Sequence, residues 1–392
     1  MKYDLLIKGG TVVDPSQGLN AAKDVALDAG KVAAVEDSIP TDSAREVLDA
    51  KGLLVVPGLI DLHVHAFWGA STYGIDADVS NLAKGVTTAL DAGSAGALTF
   101  PAFRKHTIDR ADTRLYALLN ISAAGMLSPQ IGEVEDPRWA DVDLAVRSGR
   151  ANRDRVLGIK ARLARHILGE SSDVETLKRA IEAAEGFDGF VMIHVGNNPT
   201  PLPMLMNMLR PGDVVTHSFH GFGDGVLEES GAVVEGMKEA QSRGVAIDVG
   251  HGAGSFSFRS AEKALANDVL PDTISTDISN ISIDGPVYDF ATTVTKFMHL
   301  GMSLEEVIRR STEVPARVMG LGDRVGTLKV GAEGDAAILR VEEGRFKLVD
   351  RLNPMTMMGS TKWETGTSLE ASKRLVHVHT VKGGAVYRPW LK

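Results

Sequence analysis

Eight short apolar runs alternate with helix-compatible segments between residues 58 and 280. Each run has the length of a strand, and the intervening segments carry apolar residues at helical spacing, as in residues 173–185. Strands that alternate with helices form parallel sheets, and eight such units close into a barrel. The pattern therefore predicts a (β/α)8 TIM barrel over residues 58–324. The runs begin near Ile60, Val86, Leu115, Val156, Val191, Val214, Val245 and Ile274.

The two ends of the chain have a different residue pattern. Short β runs separated by Gly, Pro and Asp turns fill residues 1–57 and predict an antiparallel β unit. A similar texture returns after residue 335. Because termini usually lie close together and a barrel can be inserted into a β unit, we expect residues 1–57 and 325–392 to form one small β-sandwich domain.

Composition limits the function classes. The 392 residues carry a net charge of −9 and no basic cluster, so we expect neither a nucleic-acid partner nor a membrane partner. No apolar run approaches the ~20 residues of a membrane helix, and the N-terminus does not resemble a signal peptide, which predicts a cytoplasmic protein. Since there is no cysteine, any metal is held by histidines or carboxylates.

A His-x-His pair ends the first predicted barrel strand. Residues two apart on a strand point to the same face, so His63 and His65 project together. The same spacing recurs at His377 and His379, which shows that the motif alone proves little. Catalytic groups of barrels gather where strands end, whereas the second pair falls in the terminal β unit and is expected on its solvated face.

Further ligand-type residues follow later apolar runs. His194 ends the fifth run, His217 the sixth and Asp277 the eighth. Singly, each is more often a polar residue at a strand end, but together they form a cage aimed at the barrel axis. Lys160 ends the fourth run, where a lysine usually reaches solvent or pairs with a carboxylate. Next to metal cations, its pKa would fall towards that of a neutral amine.

The complete set resembles the amidohydrolase superfamily of binuclear metal hydrolases. The resemblance covers nearly the whole chain, and residues 158–162, 248–252 and 290–297 are similar to its dihydroorotase-like or adenine-deaminase-like branch. Members of that branch include deacetylases acting on acetylated α-hydroxy or α-amino acids. The resemblance is carried by residues 58–65, Lys160, His194, His217 and Asp277.

The resemblance implies two zinc ions and a hydrolytic reaction. One ion would bind His63, His65 and Asp277, the other His194 and His217, with carboxylated (carbamylated) Lys160 and a hydroxide bridging them. Asp277 would accept the proton of the attacking hydroxide and return it to the leaving group. The expected reaction removes an acetyl group from small O-acetyl α-hydroxy acids or N-acetyl amino acids. Barrels of this kind usually self-associate, so we also expect a homo-oligomer.

Each candidate substrate contact has two possible interpretations. Arg162 shares strand parity with Lys160, so it either binds a substrate carboxylate or pairs with a nearby Asp or Glu. His220 and His251 lie where loops cover a barrel site and are either substrate contacts or surface histidines; His251 is favoured for function. Tyr288 either lines the mouth or packs within its loop.

Three rival functions are compatible with parts of this pattern. The same metal core opens cyclic amides in dihydroorotases and hydantoinases. Lys160 counts against a mononuclear nucleobase deaminase, because those sites lack a bridging carbamate. A non-catalytic scaffold is disfavoured because scaffold relatives lose members of the ligand set, and all of them are present here.

Overall fold

Two sheets organise the chain. The computed structural model describes residues 1–128, 130–169, 171–221, 225–228, 230–351 and 366–389. An eight-stranded sheet contains strands from both ends of the chain, and a seven-stranded sheet is formed by the residues between them. The second sheet carries the candidate site.

The N-terminal residues supply five strands of the first sheet. The longest strand, β1, merges two predicted apolar runs and shifts register between Ile7 and Gly10. Both β4 and β5 pair with β1 in parallel, so the predicted antiparallel unit is wrong for these two strands. Apolar alternation indicates which face of a strand is buried but not the direction of its partner. The strands are β1 (Tyr3–Asp14), β2 (Leu19–Asp28), β3 (Lys31–Glu36), β4 (Ala44–Asp49) and β5 (Leu54–Pro57).

The second sheet is parallel, with neighbouring strands in chain order, and curls into the predicted TIM barrel. Its strands are β6 (Leu59–Val64), β7 (Val86–Gly96), β8 (Arg114–Asn120), β9 (Val156–Arg162), β10 (Phe190–His194), β11 (Val214–Thr216) and β12 (Ala246–Ile247). The eighth run is an extended segment rather than a regular strand. Bridges from Thr273 to Asp248 and from Ile278 to Val64 join it to both neighbours and close the ring.

Helices cover the barrel strands. Helix α5 has the bounds predicted from its apolar spacing; the Ser172 side chain caps its start and accepts from Glu175 N. Leu177, Ala180 and Ala184 form its buried face. Among the described residues, no helix combines the length and hydropathy needed to cross a bilayer. The helices are α1 (Ala77–Ser80), α2 (Phe100–Phe103), α3 (Val142–Ala151), α4 (Arg165–Leu168), α5 (Asp173–Glu185), α6 (Leu202–Met206), α7 (Met237–Ser242), α8 (Phe258–Ala266), α9 (Phe290–His299), α10 (Leu304–Arg309) and α11 (Glu313–Val318).

Three C-terminal strands complete the first sheet: β13 (Ala336–Val349), β14 (Ser368–Lys382) and β15 (Ala385–Val386). Antiparallel pairing of β13 with β5 joins the two ends of the chain, as expected; the exact division at residues 57/58 and 324/325 stays a prediction. The second His-x-His pair is not on a solvated face. His377 and His379 are half-buried, and burial lowers the pKa of His377 to about 4. A Cβ built on Gly85 would lie 3.0 Å from the His377 ring, so that ring packs against the barrel.

Candidate metal centre

The predicted ligand-type residues all lie at the carboxyl end of the barrel. His63 lies in β6 with His65 just beyond it, and Lys160 lies in β9. His194 ends β10, His217 follows β11, and Asp277 lies in the extended eighth segment. Parallel barrel strands end on the same face, which is where barrel enzymes place their active sites.

Three of these side chains lie within reach of a common ion. Asp277 Oδ1 is 3.4 Å from His63 Nε2 and 3.1 Å from His65 Nε2. One ligand atom each of His63, His217 and Asp277 lies within 4.8 Å of the others. The ring of His194 is 4.4 Å from that of His217, centroid to centroid. The geometry suits metal coordination, which requires several donor atoms around one point.

Lys160 contributes a buried amine to the same end of the barrel. Within the described residues, its Nζ atom has no hydrogen-bond partner. Burial lowers the pKa of this amine to about 7. A Cβ at Gly93 would lie 2.5 Å from Lys160 Cβ, so the two strands approach closely only because residue 93 is glycine. An unpaired buried nitrogen is rare in folded proteins and points to a missing partner.

Hydrogen bonds on the outer side of two imidazoles fix their tautomers. His217 Nδ1 donates to the Gly250 carbonyl at 2.6 Å. His63 Nδ1 lies 3.0 Å from the Thr216 hydroxyl, which itself donates to Asp248 at 2.7 Å, so the ring nitrogen is the donor of the first bond. In both rings the proton on Nδ1 leaves the Nε2 lone pair for a metal.

Burial sets the charge states of the group. It lowers the pKa values of His63 and His194 well below the ordinary histidine value and that of His217 to about 3, so these rings are neutral donors. For Asp277, burial acts to raise the pKa, but the hydrogen bond from His65 and electrostatic attraction to the neighbouring histidines and Lys160 outweigh it and lower the pKa overall. The carboxylate is therefore ionised at neutral pH and available as a ligand or a base.

Arg162 forms an ion pair beside this group. Its guanidinium donates to the buried Glu133 carboxylate, which also accepts from Asn120 Nδ2 at 2.7 Å. Of the two sequence interpretations, the structure shows the pairing with a nearby carboxylate. The ring of Tyr73 lies 5.9 Å from both the Arg162 guanidinium carbon and the His65 ring centroid. Tyr73 and Glu133 were missed because both lie in irregular segments without a periodic signal.

The other predicted substrate contacts lie differently. His251 is fully buried, stacks on Phe256 at 4.6 Å and accepts a hydrogen bond from Lys296. His220 is also buried, so neither is a surface-loop histidine. Tyr288 is 47% exposed and therefore lies at the surface. A Cβ at Gly285 would lie 2.9 Å from its hydroxyl, so the side chain packs against its own loop. Lys296 was not among the predicted site residues. Its position on the apolar face of a helical stretch was a signal in the sequence that could have identified it.

Comparisons with known proteins agree with this geometry. Residues 54–367 match the model of the amidohydrolase family. A deacetylase of Agrobacterium fabrum is 34% identical over 322 residues, which cover 82% of this chain and 79% of the relative. A deacetylase of Enterococcus faecalis is 32% identical over 392 residues, which cover 99% of this chain and 100% of the relative.

Solved structures share the fold over the full length. A crystal structure of an adenine deaminase has a TM-score of 0.87 at 32% identity and covers 98% of this chain and 99% of its own. A dihydroorotase structure has a TM-score of 0.84 at 29% identity, with 98% of each chain covered. Fold and site thus define a metal-dependent hydrolase acting on amide or ester bonds. The chain belongs to the amidohydrolase family, in which a binuclear metal site is typical.

Proposed function

We propose that this chain is a zinc-dependent deacetylase acting on small O-acetyl α-hydroxy acids or N-acetyl amino acids. The observation that carries the proposal is the ionised carboxylate of Asp277, held against His63 and His65 at the end of the barrel that also buries Lys160. The two relatives named deacetylases support acetyl transfer to water as the reaction.

The donor set fits two divalent ions. His63, His65 and Asp277 would hold one, and His194 with His217 the other. The unpaired Lys160 nitrogen fits a carbamate, formed when the neutral amine adds to carbon dioxide and loses a proton; its oxygens would then serve both ions. Bound zinc ions supply an acidified water molecule and polarisation of the substrate carbonyl. The tautomers of His63 and His217 already present Nε2 lone pairs.

Asp277 moves the proton. As an ionised carboxylate, it accepts the proton of the attacking water, and it then donates that proton to the leaving alkoxide or amine. His65 Nε2 lies 3.1 Å from Asp277 Oδ1, so a shared ion would hold both side chains. Because the chain has no cysteine, no thiol is available for an acyl intermediate, which favours direct attack by water.

Arg162 binds the carboxylate of the substrate in this proposal. A guanidinium has five N–H donors, and Glu133 uses one end of it while fixing its orientation. Tyr73 covers the guanidinium from one side. The pair therefore selects substrates that carry a carboxylate.

The test is acetate release by the zinc-loaded protein from a matched panel. The panel contains both enantiomers of O-acetyl α-hydroxy acids and of N-acetyl amino acids, with small and aromatic side groups. We expect release from one handed series, and the matching acetamides or esters without a carboxylate serve as controls for Arg162. If no member of the panel releases acetate, deacetylation is excluded as the reaction.

Opening of a cyclic amide is the second candidate, favoured by the likeness to a dihydroorotase structure. Dihydroorotate and a hydantoin are therefore included in the assay, and adenine tests the deaminase alternative. If the protein opens a cyclic amide but releases no acetate, cyclic-amide opening replaces deacetylation as the proposed function. Zinc analysis tests the scaffold alternative, because a scaffold would bind no zinc after purification with the metal present.

A further inference from the structure

A fully buried lysine, Lys296, forms no hydrogen bond or ion pair with a carboxylate among the described residues; Asp350 and Asp289 attract it only over longer distances. The Nζ atom of Lys296, in α9, donates to His251 Nε2 at 2.7 Å and to the Pro286 carbonyl at 2.9 Å. Both acceptors are neutral. Burying an amine against neutral acceptors opposes folding, so a lysine at this position calls for a role that an apolar residue does not fill.

His251 connects Lys296 to the backbone that lies beside Asp277. Because Nε2 accepts from Lys296, the ring proton is on Nδ1, which donates to the Gly252 carbonyl at 2.9 Å. Gly252 lies directly against Asp277: a Cβ at residue 252 would be 2.4 Å from Asp277 Oδ2. The His251 ring holds the Gly252 carbonyl and the Thr276 carbonyl accepts from Gly252 N at 2.9 Å, so the ring contributes to the position of the backbone beside this carboxylate oxygen.

Lys296 also connects to the loop on the other side of Asp277. Pro286, its second acceptor, lies between the eighth barrel segment and α9. Within that loop Val287 N donates to the Ser282 carbonyl, and the Ser282 hydroxyl donates to the Asp277 carbonyl at 3.2 Å. One amine therefore joins the two loops that flank Asp277.

We propose that Lys296 and His251 are positioning residues that hold Asp277 in the geometry for proton transfer, through Gly252 on one side and the Pro286 loop on the other. The inference rests on the proposed function, in which Asp277 moves the proton. His251 is accordingly a support for Asp277 and not a substrate contact.

The test compares the fully buried Lys296 with the half-buried Lys382 in the holoenzyme. Lys296→Met keeps the length and removes the donor; Lys382→Met does the same in the first sheet, far from the site, where Lys382 bonds Asp335. We expect Lys296→Met to lower kcat roughly 10- to 100-fold with little change in KM or zinc content. The visible spectrum of the cobalt-loaded protein should also change, because it reports the ligand geometry at Asp277. Lys382→Met should leave kcat and the spectrum unchanged.

A second pair of variants tests the His251 step. His251→Ala removes the donor to Gly252, whereas the amide of His251→Asn can restore it from nearly the Nδ1 position. We expect His251→Asn to recover much of the kcat and the cobalt spectrum lost in His251→Ala. Because both variants retain Lys296, they still test the inference if the Lys296→Met protein does not fold.

Equal kcat and cobalt spectra in Lys296→Met and Lys382→Met, or no rescue by His251→Asn, would overturn the inference. The acetate-release assay and Asp277→Asn separate this failure from failure of the proposed function. If Asp277→Asn is inactive while Lys296→Met is normal, only the positioning role is lost. If Asp277→Asn is active, Asp277 does not move the proton; if the unsubstituted protein releases no acetate, the proposed function itself is wrong.

Discussion

At the scale of single residues, the proposed chemistry depends on Asp277. The substitution Asp277→Asn preserves shape but removes the proton acceptor, so kcat should fall roughly 10²- to 10⁴-fold. Much of the metal should remain, because His63, His65, His194 and His217 are unchanged. Acetate release and zinc content measured on the same preparation test this. Near-normal kcat would exclude Asp277 from proton transfer.

Lys160 gives a second prediction at this scale. Lys160→Ala removes the buried Nζ atom that has no partner and, with it, the proposed bridging ligand. We expect about one zinc ion per chain to be lost and activity to fall, with partial recovery when a small carboxylic acid fills the space. Zinc content with and without added propionate is the measurement. Full zinc occupancy in the variant without propionate would contradict a carbamate at Lys160.

At the scale of elements, the approach of β7 to β9 determines where Lys160 lies. In Gly93→Ala the new Cβ would lie 2.5 Å from Lys160 Cβ, so the lysine must move. Gly301→Ala is the matched control, because its φ of +100° resembles the +87° of Gly93 but its Cβ meets nothing within 4 Å. Both variants should lose about 1 kcal/mol from backbone strain. Only Gly93→Ala should lose zinc; equal zinc content in the two would show that this contact does not position the lysine.

Strand ends were predictable from the sequence, whereas the contacts between loops were not. Apolar runs mark each barrel strand, so the polar residue that ends a run, such as His194 or Asp277, can be assigned to the active face from pattern alone. Glu133 lies in an irregular segment, and the path from Lys296 through His251 to Gly252 joins residues 45 apart in the chain. No periodicity encodes such contacts, because loop conformation depends on packing that forms only in the folded chain.

At the scale of the whole molecule, Asp335 joins the two sheets. Its carboxylate accepts from Arg114 in β8 of the barrel and from Lys382 in β14 of the first sheet, at 2.9 Å for the latter. Its backbone carbonyl accepts from Gly58 N, just before the first barrel strand. Burial acts to raise the pKa of Asp335, but the two cations outweigh it and lower the pKa overall. The ion pairs therefore stabilise the junction while this carboxylate is charged.

The substitution Asp335→Asn leaves Arg114 and Lys382 without their shared anion. We expect the free energy of unfolding at pH 7 to fall by about 3 kcal/mol, with kcat retained because the metal centre is untouched. A lowered pKa in the folded state contributes stability above the ordinary aspartate pKa of about 3.9 and loses it as the pH falls through the folded value. Urea unfolding of both proteins is measured from pH 7 to pH 3. The difference between their free energies of unfolding should become smaller only below about pH 4. A gap of constant size would mean that the charge of Asp335 does not hold the two sheets together.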